Sequence, residues 1–338
     1  MYGWENEPRY HLWPSEDINL RVPDVIKKCL GFVGLRQSNG EIRWGGTAFI
    51  VSVPGSQYSG YKFDYLVTAK HVADEIAGED AVVRMNTADG GFVIFALINS
   101  PWWFHPTEAS MVDAAVTIFA PPPEIKLDVR NIPVRMFLND KTIADRAIGI
   151  GDEIYISGLF THITETSKNQ PVMRTGNIAM MPDEKINFPA LGVIDAYVVE
   201  ARSIGGLSGC PVFIRETVNI PLSETPGGPE TRPMHGLGSM YFLGSMIGHW
   251  QIPRSMNPAL AEAVNMGMSV VVPAYKILEI INQPILADMR KEIEEQRRKE
   301  DAESAFLDPS LKRPPMENVF TQQDFEDALK MASCKIEK

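Results

Sequence analysis

The chain has 338 residues, 44% of them hydrophobic and 22% charged, with a formal net charge of −11. That composition supplies ample material for folded cores, and the length suggests two packed units plus extensions. The acidic balance argues against nucleic acid or a membrane surface as a partner, because phosphate binding rests on lysine and arginine.

Residues 1–29 are polar, are broken by Pro8, Pro14 and Pro23, and read as an N-terminal extension. They open with MYGWENEPRY, which has neither a basic start nor an apolar core, so a secretory signal is not expected. No apolar run approaches the ~20 residues that a membrane span needs. Cys29, Cys210 and Cys334 are far apart and lack CxxC spacing, which points away from disulfides and zinc and toward a reducing, cytoplasmic setting. Neither a metal nor a cofactor is expected.

The texture changes at Leu30. A first unit, residues 30–125, carries TAFIVSV (47–53), DYLVTA (64–69), GFVIFALI (91–98) and AAVTIF (114–119) as predicted strands. APPPEIKLDVRNIPV (120–134) reads as the linker. A second unit, residues 126–283, carries DEIYISGL (152–159), IDAYVVEA (194–201), CPVFIR (210–215), FLGSMIG (242–248) and MSVVVP (268–273), and closes on a short helix, PAYKILEIIN (273–282). Short strands scattered evenly between turn signals predict an all-β architecture of sandwich or barrels, not alternating β and α units. The Pro- and Gly-rich stretch between Glu216 and Gly238 reads as a long exposed loop.

Residues 284–338 form a tail in two parts. DMRKEIEEQRRKEDAES (288–304) is nearly all charged and predicts a solvated helix or a partner strap rather than a core element. FTQQDFEDALKMA (320–332) has capping-box spacing at Thr321 and Asp324 and a hydrophobic staple at Phe320 and Phe325. Its apolar face either docks on the body of the protein or takes a regulatory protein partner.

The chemistry begins at YLVTAKHVAD (65–74), where a hydrophobic strand ends in a small-residue turn and His71 stands at the mouth of a helical turn. MVDAAVTIF then sets Asp113 at the head of a strand, and GGLSGCPVF sets Ser208 among glycines. Taken singly, each has a bland structural reading. Together and in this order they supply what acyl transfer needs: a hydroxyl to attack, an imidazole to take its proton, and a carboxylate to fix the tautomer and stabilise the cation. The N–H groups of Gly206 and Ser208 are the candidate oxyanion donors, in a turn that glycines keep tight.

These stretches resemble the trypsin-like (chymotrypsin-fold) serine peptidases, in particular their bacterial forms. The resemblance is carried by GGTAFIV (45–51), LVTAKHVAD (66–74), VDAAV (112–116), GDEIYISGLF (151–160), PVMRTGNIAMM (171–181), GGLSGCPVF (205–213), LGSMIG (243–248) and MGMSVVVPAYKI (266–277), and spans about residues 30–283. It implies two packed six-stranded barrels with the triad in the cleft between them. His71 would be the base, Asp113 its orienting acid and Ser208 the nucleophile, with Gly206 and Ser208 as oxyanion donors. It also implies a primary specificity pocket built near Glu200–Ile204 and Gly248–Trp250, with Arg202, Gly248 and His249 as candidate determinants. Arg202 either favours acidic side chains there or points outward to pair with an acid such as Glu200.

The chain departs from the pattern in three places. Leu207 stands where secreted members carry the aspartate that pairs with a newly cut N-terminus, so activation by cleavage is not expected. Cys210 replaces a glycine, as a small packed residue or as a redox-sensitive thiol. The 55 residues after residue 283 are too few for a peptide-binding PDZ module of ~80–90 residues. The leading expectation is a serine endopeptidase acting on protein or peptide substrates. The alternative is a catalytically silent scaffold of the same fold that binds a protein, and the order His, Asp, Ser argues against an α/β-hydrolase.

Overall fold

The computed structural model describes residues 22–56, 61–78, 80–97, 100–159, 167–201, 206–223, 230–234, 238–252 and 264–307. The first unit contains α1 (Asp24–Lys28), β1 (Leu30–Arg36), β2 (Ile42–Pro54), β3 (Lys62–Thr68), α2 (Lys70–Glu75), β4 (Ala81–Asn86), β5 (Phe92–Ala96) and β6 (Ala115–Ile118). β7 (Ile132–Pro133) and α3 (Asp140–Arg146) lead into the second, which contains β8 (Glu153–Gly158), β9 (Val172–Met180), β10 (Ile186–Phe188), β11 (Gly192–Ile194), β12 (Tyr197–Glu200) and β13 (Pro211–Arg215). It continues with β14 (Val218–Ser223), β15 (Glu230–Met234), β16 (Met240–Ile252) and β17 (Val264–Pro273), and is followed by α4 (Ala274–Ile281) and α5 (Pro284–Leu307).

The first sheet runs β5-β4-β1-β2-β3-β6, with the short β7 pairing in parallel to β2. The second unit is a closed six-stranded barrel, β12-β17-β16-β13-β8-β9. This all-β architecture is that of the chymotrypsin-like double barrel, with a helical C-terminal extension.

Side-chain alternation explains why the central strands are apolar on both faces. On β2 and β3, Phe49, Val51, Tyr65 and Val67 point into one core, while Ala48, Ile50 and Leu66 point into another. The second of these is the interior of the first unit, with Val33, Val72 and Val83. The barrel of the second unit encloses its own core around Ile154, Ile156, Val212, Leu243 and Val271. The first joins the two units: the Phe242 ring lies 5.3 Å from Phe49 and 4.7 Å from Phe137. α4 adds Ile277, Ile280 and Ile281 to this shared core.

Several elements differ from the sequence expectation. β14 and β15 form a two-stranded hairpin inside what reads as a long loop. β9 goes unseen by pattern because it is only partly buried along most of its length, so no apolar alternation is required of it. The charged stretch 288–304 is helical, but it is not simply a solvated face. Leu286, Met289 and Ile293 are buried in the shared core, and Glu294 is 2% exposed. The pattern misleads because only a narrow stripe of α5 docks, and its Arg and Glu heads find partners there. No helix among the described residues is long and apolar enough to cross a membrane. The first 21 residues, the capped stretch after Thr321, and Cys334 lie outside the described residues.

Candidate active site

The histidine and the acid are delivered by neighbouring strands. Thr68, the last residue of β3, pairs with Ala115, the first residue of β6, in an antiparallel ladder. The chain leaving β3 and the chain entering β6 therefore meet at one end of the sheet. His71 follows Thr68 by three residues there, and Asp113 precedes Ala115 by two.

Nδ1 of His71 lies 2.6 Å from Oδ2 of Asp113, and the His71 backbone N–H donates to Oδ1 at 2.8 Å. A carboxylate only accepts, so Nδ1 carries the proton and Nε2 keeps its lone pair. The Asp113 side chain is 7% exposed and the His71 ring 43%, so the pair is anchored at the acid and open at the imidazole. Burial of the ring works against the imidazolium. The hydrogen bond and charge of Asp113, reinforced by Glu75 and Asp74, outweigh it and hold the His71 pKa above its usual 6.5.

Ser208 sits in the turn that enters β13, between Gly206 at φ 92° and Gly209 at φ 80°. Side chains rarely adopt that region, and glycine does so freely. A Cβ on Gly209 would stand 2.3 Å from the Thr47 carbonyl oxygen, 2.4 Å from Thr68 Oγ1 and 2.9 Å from the Ala69 nitrogen. The serine turn thus closes on the residue two places before His71. On its other side, a Cβ on Gly46 would meet the Ser208 carbonyl oxygen and Val72 Cγ2, each at 3.0 Å. Val72 is the residue after His71, so the serine turn meets the chain before the histidine directly and the chain after it through Gly46.

Thr47 ties the two units together at this point. Its N–H donates to the Ser208 carbonyl at 3.1 Å, and its Oγ1 donates to the Gly206 carbonyl at 3.3 Å while accepting the Leu159 N–H at 3.0 Å. Thr68 Oγ1 in turn donates to the Thr47 carbonyl at 2.8 Å. Pattern reading passed over both threonines, whose signal is a hydroxyl in an otherwise apolar strand. The N–H of Gly209 is taken by the Met246 carbonyl at 2.9 Å and that of Cys210 by the Leu207 carbonyl at 3.1 Å. Among the described residues, no acceptor is bonded to the N–H groups of Gly206 and Ser208, and the side chains of Ser208 and His71 share no hydrogen bond.

Leu207 is fully buried, as is Cys210. Both pack against Gly158, where an added Cβ would lie 2.4 Å from Leu207 Cδ2 and 2.3 Å from Cys210 Sγ. Burial pushes the Cys210 thiol up to about 12.

The specificity residues divide. Arg202, like Gly205, lies outside the described residues. Gly248 and His249 are on β16, where Gly248 faces Phe188 and burial lowers the His249 pKa. A cavity of about 560 Å³ is lined by Thr175, Asn177, Glu200, Ala201 and Met266, among others. It includes Glu200, while Gly248 and His249 are not among its walls. Among the described residues no group of three or more His, Cys, Asp or Glu is placed to hold a metal ion.

The sequence matches no protein-family model and no curated protein. Among solved structures, the crystal structure of Deg5 is similar in part, with a TM-score of 0.40 and 12% identity, over 75% of this chain and 88% of that one. A likeness so slight adds nothing to what the site geometry supports.

Proposed function

We propose that this protein is a serine endopeptidase that cleaves protein substrates through an acyl-enzyme. The observation that carries the reading is the doubly bonded His71–Asp113 pair, with the Ser208 turn packed on Thr47, Thr68 and Ala69 just before the histidine. Asp113 holds the ring by its edge and by its own backbone, so Nε2 faces outward with its lone pair. In the proposed reaction the Ser208 hydroxyl attacks the scissile carbonyl as His71 Nε2 takes its proton. Asp113 stabilises the imidazolium, and the N–H groups of Gly206 and Ser208 receive the oxyanion. His71 returns the proton to the leaving amine. A water then repeats the sequence to release the acid. In structures without substrate, catalytic hydrogen bonds are often long, so the lack of a His71–Ser208 bond is compatible with this order of events.

That same lack favours a second reading, a silent scaffold whose cleft binds a protein. Labelling with a fluorophosphonate separates the two. The peptidase reading expects a covalent adduct on Ser208 in the unmodified chain and none in Ser208→Ala. An intact, folded protein that never takes the label supports the scaffold.

A further inference from the structure

The turn that leads to Asp113 is fastened at every polar group of one residue, Glu108. Its backbone N–H donates to Nδ1 of His105 at 3.0 Å. Its carbonyl accepts the N–H groups of both Met111 and Val112 at 2.9 Å. Its carboxylate takes Lys276 on Oε2 and Lys185, at 3.4 Å, on Oε1. The residue after Val112 is Asp113.

The side-chain partners of Glu108 come from the other unit. Lys276 is on α4 and only 8% exposed. Glu279, one turn further along α4, accepts Nε2–H of His105 at 2.5 Å and lies 3.8 Å from Lys276. Because Nδ1 of His105 already accepts from Glu108, the proton of this buried ring sits on Nε2. Asp195, just past β11, is 3.6 Å from Lys276 and 3.5 Å from Lys185. Two cations, three carboxylates and one neutral histidine therefore face one another. Burial works against the Lys276 ammonium, yet Glu108 and Glu279 hold its pKa above the usual lysine value. Lys276 and Lys185 likewise hold Glu108 below the usual carboxylate range. A cavity of about 550 Å³ lies against His105, Glu108, Lys276 and Glu279, so the turn has room to shift once released.

We propose that Lys276 and Glu108 are positioning residues for Asp113, their ion pair locking the 105–112 turn so that the acid stays in register with His71. The kinetic consequence rests on the peptidase reading; the geometric one does not. The pair also makes the acid of the first unit answer to the closing helix of the second, so the site is set only when the two units are docked.

The test is a titration of His71 by histidine-labelled NMR, beside steady-state kinetics, in the full chain and in Lys276→Met, Lys276→Arg and Glu108→Gln. Lys276→Met should lower the His71 pKa by about half a unit or more, because Asp113 no longer holds the imidazolium as well. It should lower kcat by about tenfold to a hundredfold, as small misplacements do, and leave KM within about twofold. Lys276→Arg should restore both. Glu108→Gln keeps the backbone bonds and the side-chain shape, so it should fold and shift His71 in the same direction. An unchanged His71 titration in folded Lys276→Met, or in Glu108→Gln if the former does not fold, overturns the proposal even where the melting temperature falls. A shifted His71 titration in a chain that hydrolyses no peptide at all would uphold the positioning role and sink the peptidase reading.

Discussion

Nη1 of Arg290 donates to the hydroxyl of Tyr65 at 2.8 Å and so fastens α5 to β3. The same guanidinium donates to the Ile281 carbonyl at 2.8 Å and to Asn282 Oδ1 at 3.0 Å. Tyr65 is 1% exposed, so its hydroxyl has no water to turn to. Burial raises the Tyr65 pKa, against the pull of Arg290, which keeps the hydroxyl protonated. The docked stripe of α5 continues to Glu294, which accepts from Ser56 Oγ at 3.0 Å.

The tail should therefore carry stability. Arg290→Ala leaves the Tyr65 hydroxyl and a helix-end carbonyl short of a donor, a loss of about 1–3 kcal/mol. Leu286→Ala opens a cavity in the shared core and should cost about 2–5 kcal/mol. Thermal melts of both variants, and of a chain ending at residue 283, check this. Each should melt several degrees lower, and equal melting temperatures across the set would show that the docked stripe carries no weight.

The triad variants are expected to fail together. Ser208→Ala and His71→Ala should each lower kcat by about 10⁴–10⁶, because the residues act as a unit. Asp113→Asn should lower it by about 10⁴ while the fold persists, since the amide favours the wrong tautomer of the ring. Peptide hydrolysis at full rate by Ser208→Ala would remove Ser208 from the chemistry.

The pH dependence has a definite sign. His71 must be neutral to act as a base, and its pKa is held above 6.5, so the rate should climb through a value above 6.5. A raised histidine pKa means that the His71–Asp113 pair stabilises the fold fully below the ordinary value, and that this contribution is lost as pH rises through the folded one. Activity and this part of the stability thus run in opposite directions across the same window. Asp113→Asn should move the acid limb of the residual rate to lower pH. A pH–rate profile of both proteins reads this out, and an unmoved limb would mean that the limb does not report His71.

Thiol chemistry near Ser208 is not expected. Cys210 is fully buried and its pKa is pushed to about 12; Cys29 is also fully buried and shifted upward. Neither should react with a thiol reagent at neutral pH until the chain is unfolded, since thiolate and access are both missing. Mass spectrometry of the native and denatured protein after alkylation counts the labelled sites. Rapid native labelling of Cys210 would restore its reading as a redox-sensitive thiol.

Much of this fold was legible in the sequence because its central strands face a core on each side. Residues 48–51 and 65–67 are unbroken apolar runs for that reason, and they fall within β2 and β3. The pairing of His71 with Asp113 was legible too, from local turns at strand ends. What stayed hidden has a common cause: it depends on partners far away in the chain. Lys276 reads as one charge on a short amphipathic helix until Glu108, distant in sequence, is brought against it. Arg290 reads as a solvated charge until the Tyr65 hydroxyl appears beneath it. β9 stayed hidden because a half-exposed strand needs no apolar pattern, and the β14–β15 hairpin because proline and glycine dominate its sequence.

The most discriminating glycine is Gly209. Its φ of 80° is unfavourable for alanine, and its Cβ would fall 2.3 Å from the Thr47 carbonyl oxygen and 2.4 Å from Thr68 Oγ1. Neither neighbour is the free end of a flexible chain: Thr47 lies within β2 and Thr68 ends β3, and the two are already bonded to each other. The serine turn must give instead, which carries Ser208 away from His71. Gly40 supplies the control, with φ 86° and nothing within 4 Å of an added Cβ. Both alanine variants carry about 1–2 kcal/mol of backbone strain. Only Gly209→Ala displaces Ser208, so on the peptidase reading it should lose about a hundredfold or more in kcat/KM. Gly40→Ala should melt somewhat lower and keep its activity. Paired melts and kinetics decide, and wild-type kcat/KM in Gly209→Ala would mean that the packing of this turn on Thr47 and Ala69 does not position the serine.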